Sequence, residues 1–500
     1  MKKYLMGLDN GGTMVKAALY DLEGHEVALA SRKVEMLRSL PGHTERDCDV
    51  FFNANIEVIK EVLEKSGVKG EEVIGMAITG HGNGVYLVKE DGSTACNGII
   101  STDSRAKDYV EMWYEDGTAE KVLPFTMQSV WAGQPIPILR WFKDNDKKVL
   151  DDTKWVFSCK DYVRFRLTGE AYGEITDMSG SGLMNVKEAR YDADLLKEFG
   201  LQECIDKLPP LKSSEDICGY ITKEIADITG LKEGTPVAGG SMDTHVSAIA
   251  TGAVEKDKLC IVAGTWSINE YVDTVPVIDK DLFMTSFFPI DGHYLIMEAS
   301  PTSASNLEWY LSEIMKDIKL EEGTSIYELS NELVQSVEAD EANIIFLPFL
   351  YGTNVDANAK ASFIGLNGWH TRAHVLRALY EGVVFSHRSH IDKLLKYRDK
   401  PQVARIAGGV VNSKVWVQMF ADILQIPIEV VKTKELGALG SAICAGIAVG
   451  EFESFKEATD KMVEVDYVCK PDPSKKDIYD KKYDLYKKII EALDPIWKEF

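Results

Sequence analysis

Two stretches of the chain share one pattern, in which a run of apolar residues is broken by a short glycine-containing turn and then resumes. The first is YLMGLDNGGTMVKAALYD at residues 4–21, and the second is LCIVAGTWSINEYVD at residues 259–273. Apolar runs separated by a turn of small residues predict a β-hairpin. Helical and strand patterns alternate after each stretch, which is typical of an α/β fold. We therefore predict an internal duplication, with one half starting at residue 4 and the other near residue 258.

Amphipathic periodicity predicts the main helices. Asp49 is expected to begin and cap a helix with one apolar stripe, and Gly67 is placed to end it. The tail from residue 477 is predicted as an amphipathic helix whose tyrosines contact the core. A helix of small residues is predicted at 437–450, and buried strands that end in glycine are predicted within 73–80, 235–243 and 403–409.

The size and composition of the chain restrict its class. At 500 residues it exceeds what one hydrophobic core supports, so we expect two domains, 1–247 and 248–500, without a Pro- or Ser-rich linker. The 79 acidic residues outnumber the 56 basic ones, and the net charge of −23 argues against nucleic acid or anionic membranes as partners. No apolar run reaches the roughly 18 residues of a membrane span. The eight cysteines are scattered without a C-x-x-C pair, so we expect reduced thiols in a cytoplasmic protein.

Glycines follow the predicted strands at four places. Glycine lets backbone N–H groups approach an oxyanion closely, so two such turns in each half indicate one shared polyanionic ligand. The chain has no G-x-x-x-x-G-K-[ST] motif, and GHGNG at 80–84 does not match G-x-G-x-x-G, which argues against a P-loop and a dinucleotide site. The four turns contain Gly11-Gly12, Gly239-Gly240, Gly264 and Gly408-Gly409.

Two aspartates stand beside these turns. Asp9 precedes the first glycine pair, and Asp243 follows Gly239-Gly240. An enzyme that transfers phosphoryl groups needs one carboxylate to hold Mg²⁺ and another to accept the proton of the acceptor hydroxyl. The alternative is that each carboxylate only caps a turn or a helix.

Together these motifs resemble the FGGY family of carbohydrate kinases, from GLDNGGTMVKAALYD to GALGSAICAGIAVG. ASFIGLNGWHTRAHVLRALYEG at 361–382 and KDYVRFRLTGE at 160–170 also look like their family counterparts. The resemblance implies an α/β fold of two actin-like, ribonuclease H-like domains with a cleft for ATP and sugar between them. It also implies a cytoplasmic kinase that uses ATP and Mg²⁺, and a homodimer is a family expectation.

The resemblance further implies roles for individual residues. Asp9 would help to hold Mg²⁺, and Asp243 would be the catalytic base that takes the proton of a terminal sugar hydroxyl. The remaining residues would contact ATP: Gly11, Gly12 and Thr13 in a first phosphate motif, Gly264 and Thr265 in a second, and Gly408, Gly409 and Asn412 in the adenosine pocket.

The substrate is predicted from the stretch after the strand at 73–80. His81-Gly82-Asn83-Gly84 stands where xylulokinase-like members carry Gln-Met-His-Gly, which argues against plain D-xylulose. EASPTSASNLEWY at 298–310 resembles the branch that phosphorylates L-xylulose or 3-keto-L-gulonate. We therefore expect ATP-dependent phosphorylation of such a sugar, bound by His81, Asn83, Asp103 and Asp243. A kinase of erythritol, D-xylulose or ribulose, a non-catalytic actin-like nucleotide-binding protein, and a purely structural buried His81 stay open as alternatives.

Overall fold

The computed structural model describes residues 2–320, 323–341, 343–354 and 358–499. The chain forms two compact units, and each is assembled from three separate stretches of sequence. No helix of the described ranges is both long and apolar enough to cross a membrane. The first unit comprises Met1–Val254, Val272–Ile296 and Glu435–Val463, and the second comprises Glu255–Tyr271, Met297–Lys434 and Glu464–Phe500.

The strands are short, and several pair only locally. In chain order they are β1 Tyr4–Asn10, β2 Met14–Tyr20, β3 Glu26–Lys33, β4 Glu45–Arg46, β5 Val73–Gly80, β6 Tyr86–Val88, β7 Gly98–Ile99, β8 Trp155–Phe157, β9 Gly173–Glu174, β10 Met184–Asn185, β11 Arg190–Tyr191, β12 Leu211–Lys212, β13 Ile217–Tyr220, β14 Pro236–Ala238, β15 Lys258–Ala263, β16 Ser267–Asp273, β17 Met284–Phe287, β18 Tyr294–Ser300, β19 Ile345–Leu347, β20 Ser362–Ile364, β21 Val403–Ala407, β22 Ile428–Val431 and β23 Val465–Cys469.

The helices alternate with the strands. In chain order they are α1 Cys48–Ser66, α2 Lys107–Glu115, α3 Thr118–Thr126, α4 Pro135–Asn145, α5 Lys147–Asp152, α6 Cys159–Thr168, α7 Ile175–Ser179, α8 Ala193–Glu198, α9 Lys223–Thr229, α10 Asp243–Ala250, α11 Ser305–Trp309, α12 Ile326–Gln335, α13 Arg372–Leu394, α14 Lys414–Leu424, α15 Leu436–Ala448, α16 Phe455–Met462 and α17 Lys476–Leu493.

The first unit contains a six-stranded sheet in the order β13-β14-β5-β1-β2-β3. The predicted hairpin is confirmed, since β1 and β2 pair antiparallel and Asp9 stands opposite Lys16. In contrast, β1, β5 and β14 run parallel, so their carboxyl ends lie at the same edge of the sheet. That edge carries the candidate chemistry described below.

Helices α1 and α15 cover opposite faces of this sheet. Met6 and Leu8 of β1 belong to one hydrophobic cluster with Phe51 of α1. Asp9 faces the other way, because neighbouring residues of a strand alternate between faces. A Cβ on Gly437 of α15 would lie 2.5 Å from the Asp9 Cγ atom. Strand alternation therefore turns Asp9 towards the helix of small residues.

The boundaries of α1 correct one prediction. The helix is capped by Asp47 and not by Asp49, because the Asp47 carboxylate accepts from the N–H groups of Asp49 and Val50 at 3.0 and 2.8 Å. Asp49 lies inside the first turn. The predicted end is confirmed, since Gly67 adopts the left-handed conformation at φ 66°.

The second unit repeats the strand–turn–strand pattern. Strands β15 and β16 pair antiparallel, which confirms the second predicted hairpin, and β15, β21 and β22 run parallel beside it. Helix α17 confirms the predicted tail, because Tyr479, Tyr483 and Tyr486 are buried on one face. The duplication predicted from the sequence thus appears as two hairpins, each next to a parallel strand.

Candidate active site

Three of the predicted site residues meet at one edge of the first sheet. Asp9 lies near the carboxyl end of β1, His81 follows β5, and Asp243 follows β14. These three strands are parallel neighbours, and ligands bind to α/β sheets at the carboxyl ends of such strands. Gly240 adopts φ 69°, and a Cβ there would lie 1.9 Å from the carbonyl oxygen of Ile78. Only glycine therefore lets the chain pass β5 and place Asp243 at this edge.

Asp9 is a half-buried carboxylate beside the first turn of α15. Burial raises the pKa of Asp9 to about 6, although the nearby positive charge of Lys16 acts to lower it. Lys16 itself pairs with Glu435 at 2.6 Å. A carboxylate that is poorly compensated within the protein suits a hydrated divalent cation, because Mg²⁺ binds through one or two carboxylates and keeps several waters.

Asp243 is the first residue of α10. Its Oδ1 atom accepts from the N–H of Thr244 at 2.8 Å, which fixes one side of the carboxylate. Burial, followed by the negative charges of Asp177 and Asp9, raises the pKa of Asp243 to about 7. General bases work best when their pKa lies near the operating pH. The group can therefore take a proton from a hydroxyl and release it again near neutrality.

His81 and Asn83 follow β5 and are both buried. The His81 Nε2 atom lies 3.2 Å from the hydroxyl of Tyr86, and the His81 backbone N–H donates to the carbonyl of Asn10 at 2.9 Å. Burial and the charge of Arg46 lower the pKa of His81 to about 3, so the ring is neutral. Within the described residues, His81 Nδ1 and Asn83 Oδ1 have no hydrogen-bond partner. Buried polar atoms of this kind are suited to pair with ligand hydroxyls.

Asp103 is buried too, but its carboxylate is already occupied. Its two oxygens accept from the backbone N–H of Thr44 at 2.6 Å and from Arg105 through the backbone N–H, Nε and Nη2 at 3.0, 2.9 and 2.9 Å. Arg105 also pairs with Glu45 at 2.6 Å. These bonds fasten the Asp103 loop, whereas His81 and Asn83 keep unused atoms.

A charged cluster that the sequence did not assign lies close to Asp243. Lys160 on the buried helix α6 pairs with Asp161, Glu174 and Asp177 at 2.8, 3.1 and 3.0 Å. Asp177 also lines a small cavity together with Asn83. The sequence gives no signal for this cluster, because Lys160, Asp161 and Arg164 share one side of α6 and would be expected at the surface. Such charges are buried only when they are paired.

The second unit contains a cavity of about 560 Å³ at the turn after β15. This volume is typical of a small-molecule site. Four of the predicted nucleotide residues line it, namely Gly264, Thr265, Gly409 and Asn412. Gly408 shapes the edge, because its φ is 96° and a Cβ there would lie 2.5 Å from the carbonyl oxygen of Ala263.

Two aromatic residues of this cavity were not predicted. The rings of Tyr380 and Trp416 stack at 4.2 Å with an interplanar angle of 24°. The Trp416 Nε1–H donates to the Tyr380 carbonyl at 3.1 Å, and the Tyr380 hydroxyl donates to Asn331 at 3.0 Å. They come from α13 and α14, so no spacing in the sequence shows that they meet. Both residues line the cavity and are buried, so they form an aromatic part of its wall.

Comparisons with known proteins cover both halves of the chain. The family model described as "FGGY family of carbohydrate kinases, N-terminal domain" matches residues 4–250. The model of the C-terminal domain of the same family matches residues 259–449. The L-xylulose/3-keto-L-gulonate kinase of Escherichia coli is 36% identical over 495 residues, covering 99% of this chain and 98% of that protein. The probable L-xylulose kinase of Haemophilus influenzae is 35% identical over 495 residues, covering 98% and 99%.

Solved structures show the same fold. The ligand-bound xylulose kinase from Lactobacillus acidophilus superposes with a TM-score of 0.92 at 26% identity, over 100% of both chains. The xylulose kinase from Rhodospirillum rubrum gives a TM-score of 0.88 at 26% identity, over 99% of this chain and 100% of that one. This chain therefore belongs to the FGGY family of carbohydrate kinases, and it is an ATP-dependent sugar kinase with two actin-like α/β domains.

Proposed function

We propose that the protein transfers the γ-phosphoryl group of ATP to a terminal hydroxyl of L-xylulose or the related 3-keto-L-gulonate. The proposal rests on the similarity to relatives that carry these names. The observation that carries it in the structure is Asp243, whose pKa of about 7 suits a base at the edge that also holds Asp9 and His81. A homodimer in the cytoplasm is the accompanying expectation.

Asp243 acts as the catalytic base in the proposed reaction. The sugar hydroxyl loses its proton to the Asp243 carboxylate while its oxygen forms a bond to the γ-phosphorus. The bond from that phosphorus to the bridging oxygen of ADP breaks, and ADP leaves with the bonding electrons. Backbone hydrogen bonds from Thr244 and Gly82 orient the carboxylate that accepts the proton.

Asp9 is the residue that would hold Mg²⁺. The fit comes from its half-buried carboxylate, whose raised pKa shows that a nearby positive charge would stabilise the ionised form. Bound Mg²⁺ would neutralise charge on the ATP phosphates. The backbone N–H groups of Gly11, Gly12 and Thr13 are the donors that we assign to the transferred phosphoryl group.

The nucleotide is assigned to the cavity of the second unit. Gly264 and Thr265 would receive the phosphates, while Gly408, Gly409 and Asn412 would border the adenosine. Asn412 is exposed and its Nδ2 atom donates to the Gly409 carbonyl at 3.2 Å, so its amide can also reach a ligand. The stacked pair of Tyr380 and Trp416 would support the base.

The sugar is assigned to His81, Asn83 and Asp103. The unused His81 Nδ1 and Asn83 Oδ1 atoms favour direct contact with sugar hydroxyls. Asp103 is proposed as a substrate residue from the sequence, and its existing bonds to Thr44 and Arg105 favour an indirect role in holding the pocket.

The test is sugar-dependent ATP turnover with a panel of pentuloses, hexulosonates and tetritols, repeated with Asp243→Ala. We expect the highest kcat/KM with L-xylulose or 3-keto-L-gulonate and little turnover in the variant. A preference for erythritol, D-xylulose or ribulose would redirect the substrate assignment. Absence of sugar-dependent turnover across the panel, or an equally active variant, would refute the proposal.

A further inference from the structure

Arg46 is a buried arginine of the first unit that the sequence did not assign to the site. It lies opposite Gly98 in the β4–β7 pair, and it is 0% exposed. Its guanidinium stands over the Phe51 ring, 4.4 Å from the centroid. No carboxylate of the described residues pairs with it, and its Nε and Nη1 atoms find no hydrogen-bond partner there. A buried charge without a counter-ion is destabilising, and such groups are concentrated at functional sites.

The contacts that Arg46 does make are with the first glycine turn. Its Nη2 atom donates to the carbonyl oxygens of Gly11, at 3.1 Å, and of Gly12. In a trans peptide, a carbonyl and the N–H of the next residue point in opposite directions. The N–H groups of Gly12 and Thr13 therefore point away from Arg46, and Thr13 is exposed. Two backbone donors of the turn are thus oriented by one side chain.

The positive charge of Arg46 also acts on the neighbouring site. Burial is the main cause of the lowered pKa of His81, and the charge of Arg46 is the second. The same region holds Asp9, Asp177 and Asp243, and their carboxylates raise rather than relieve the electrostatic cost of binding an anion. A phosphoryl group arriving at the turn would be the counter-ion that Arg46 lacks among the described residues.

We propose that Arg46 is a positioning residue for phosphoryl transfer, which holds the Gly11 and Gly12 carbonyls inward so that the amides of the turn face the transferred group. Its uncompensated charge stabilises that group from beneath the turn, without direct contact. This inference rests on the proposed function, because it assigns the first glycine turn to the phosphoryl group.

Three substitutions separate charge from hydrogen bonding. Arg46→Met removes both, Arg46→Gln keeps a neutral donor, and Arg46→Lys keeps the charge. We expect kcat to fall about 100-fold in Arg46→Met and Arg46→Gln, and about tenfold in Arg46→Lys, with the sugar KM within about threefold of the native value. Turnover in Arg46→Gln equal to that of the native protein would overturn the proposal, because charge would then be unnecessary.

Thermal unfolding distinguishes a positioning role from a structural one. Replacing an unpaired buried charge by an apolar residue is often neutral or stabilising, so Arg46→Met should keep the native Tm. Arg164 is the matched control, because it is equally buried but pairs with Asp161 at 2.7 Å. Arg164→Met should lower the Tm clearly. A similar loss of Tm in Arg46→Met, with activity lost only in proportion to the unfolded fraction, would assign Arg46 to stability and overturn the proposal.

Chemical rescue gives a third readout. Arg46→Ala leaves a cavity that guanidinium ion can fill, and we expect millimolar guanidinium to restore part of kcat. Urea has a similar shape and donor set without the charge, and it should not restore activity. Equal rescue by urea, or no rescue by guanidinium, would count against the proposed charge effect.

Nucleotide binding measured without sugar tests the role of Arg46 independently of which sugar is the substrate. Calorimetric titration of the native protein and Arg46→Met should show that the variant weakens ATP binding more than ADP binding. Equal weakening would overturn the inference even if the sugar assignment holds. If no sugar supports turnover but ATP is weakened selectively, the proposed substrate fails while the role of Arg46 stands.

Discussion

The two glycine turns have the same shape but are held by different chemistry. In the first unit, the carbonyls of Gly11 and Gly12 accept from the buried guanidinium of Arg46. In the second unit, the carbonyls of Gly264 and Thr265 accept from the backbone N–H groups of Ala304 and Ser303 at 2.8 and 3.0 Å. By the same trans-peptide geometry, both turns direct their following N–H groups away from these contacts.

The support behind the second turn is neutral. His387 lies 2.8 Å from the Ser303 hydroxyl through Nε2, and its Nδ1 atom lies 3.1 Å from the Ser267 hydroxyl. Burial holds the pKa of His387 well below its usual value, so the ring carries no charge. The duplication has thus preserved where the turns lie, whereas a buried charge supports the first turn and a neutral histidine supports the second. This difference is expected if the first turn faces the group that moves and the second holds the part of the nucleotide that stays.

The largest effect is expected at Asp243, beside the first turn. Asp243→Asn keeps the size of the side chain but removes the proton acceptor, and kcat should fall about 1000-fold. ATP affinity should stay within about threefold of native, because Asp243 is assigned to the sugar hydroxyl and not to the nucleotide. Steady-state turnover and calorimetry measure the two quantities. Turnover within about tenfold of native would show that the first site does not supply the base.

The charge of the first site also predicts a dependence of stability on pH. The folded state raises the pKa of Asp243 from 3.8 to about 7, so it binds this proton more tightly than the unfolded chain. The stabilisation of the folded state that comes from this proton is fully present below pH 3.8 and is lost as the pH rises through about 7. Relative to Asp243→Asn, the native protein should lose on the order of 4 kcal/mol of unfolding free energy across this range.

Urea unfolding without Mg²⁺ or nucleotide, at several pH values, measures this difference. Asp243→Asn is the matched protein, since it differs only in the titrating group. A pH-independent difference between the two would mean that Asp243 is not buried among like charges in the folded state.

A smaller effect is expected behind the second turn. His387→Ala removes the buried partner of the Ser303 hydroxyl and of the Asn269 side-chain oxygen, so the free energy of unfolding should fall by about 2 to 3 kcal/mol. The KM for ATP should rise about tenfold while kcat changes little. Together with Arg46→Met, this variant tests the comparison between the two turns. Loss of Arg46 should lower turnover, whereas loss of His387 should lower stability and ATP binding. The same pattern of losses in both variants would abolish the distinction.

The smallest effect is expected in the wall of the nucleotide cavity. Trp416→Phe keeps a ring over Tyr380 but loses the 3.1 Å hydrogen bond to its carbonyl. We expect the KM for ATP to rise about threefold, which corresponds to less than about 1 kcal/mol. Trp416→Ala should have a larger effect, and a fall in sugar affinity instead of ATP affinity would contradict the assignment of this wall.

The sequence predicted most of what depends on local pattern. Both hairpins, the strand before Gly239-Gly240 and the tyrosine face of α17 follow from alternation, glycine position and helical period. The cap of α1 was misplaced by two residues because Asp47 and Asp49 are equally good caps in isolation, and the path of the chain into the helix selects Asp47. The division of the chain into two domains at residues 247 and 248 stays a prediction.

The residues that were missed share a different property. Arg46 and the Tyr380–Trp416 pair contact partners from separate parts of the chain. Lys160 contacts Glu174 and Asp177, which lie nearby in sequence but on other elements, and no spacing rule connects any of these contacts. A family resemblance pointed to the stretches that contain Lys160 and Tyr380 without assigning roles to these side chains. Their chemistry became apparent only when their partners and their burial were known.

By itself, the sequence determined the two hairpins, the glycines at the strand ends and the placing of Asp9 and Asp243 beside them, because these depend on neighbours a few residues away. The tertiary structure decided which carboxylates share a sheet edge, how far burial raises the pKa of Asp243, and that Arg46 lies beneath the first turn without a counter-ion. The physical reason is that desolvation and electrostatic coupling act through space. They are set by packing among segments that lie far apart along the chain.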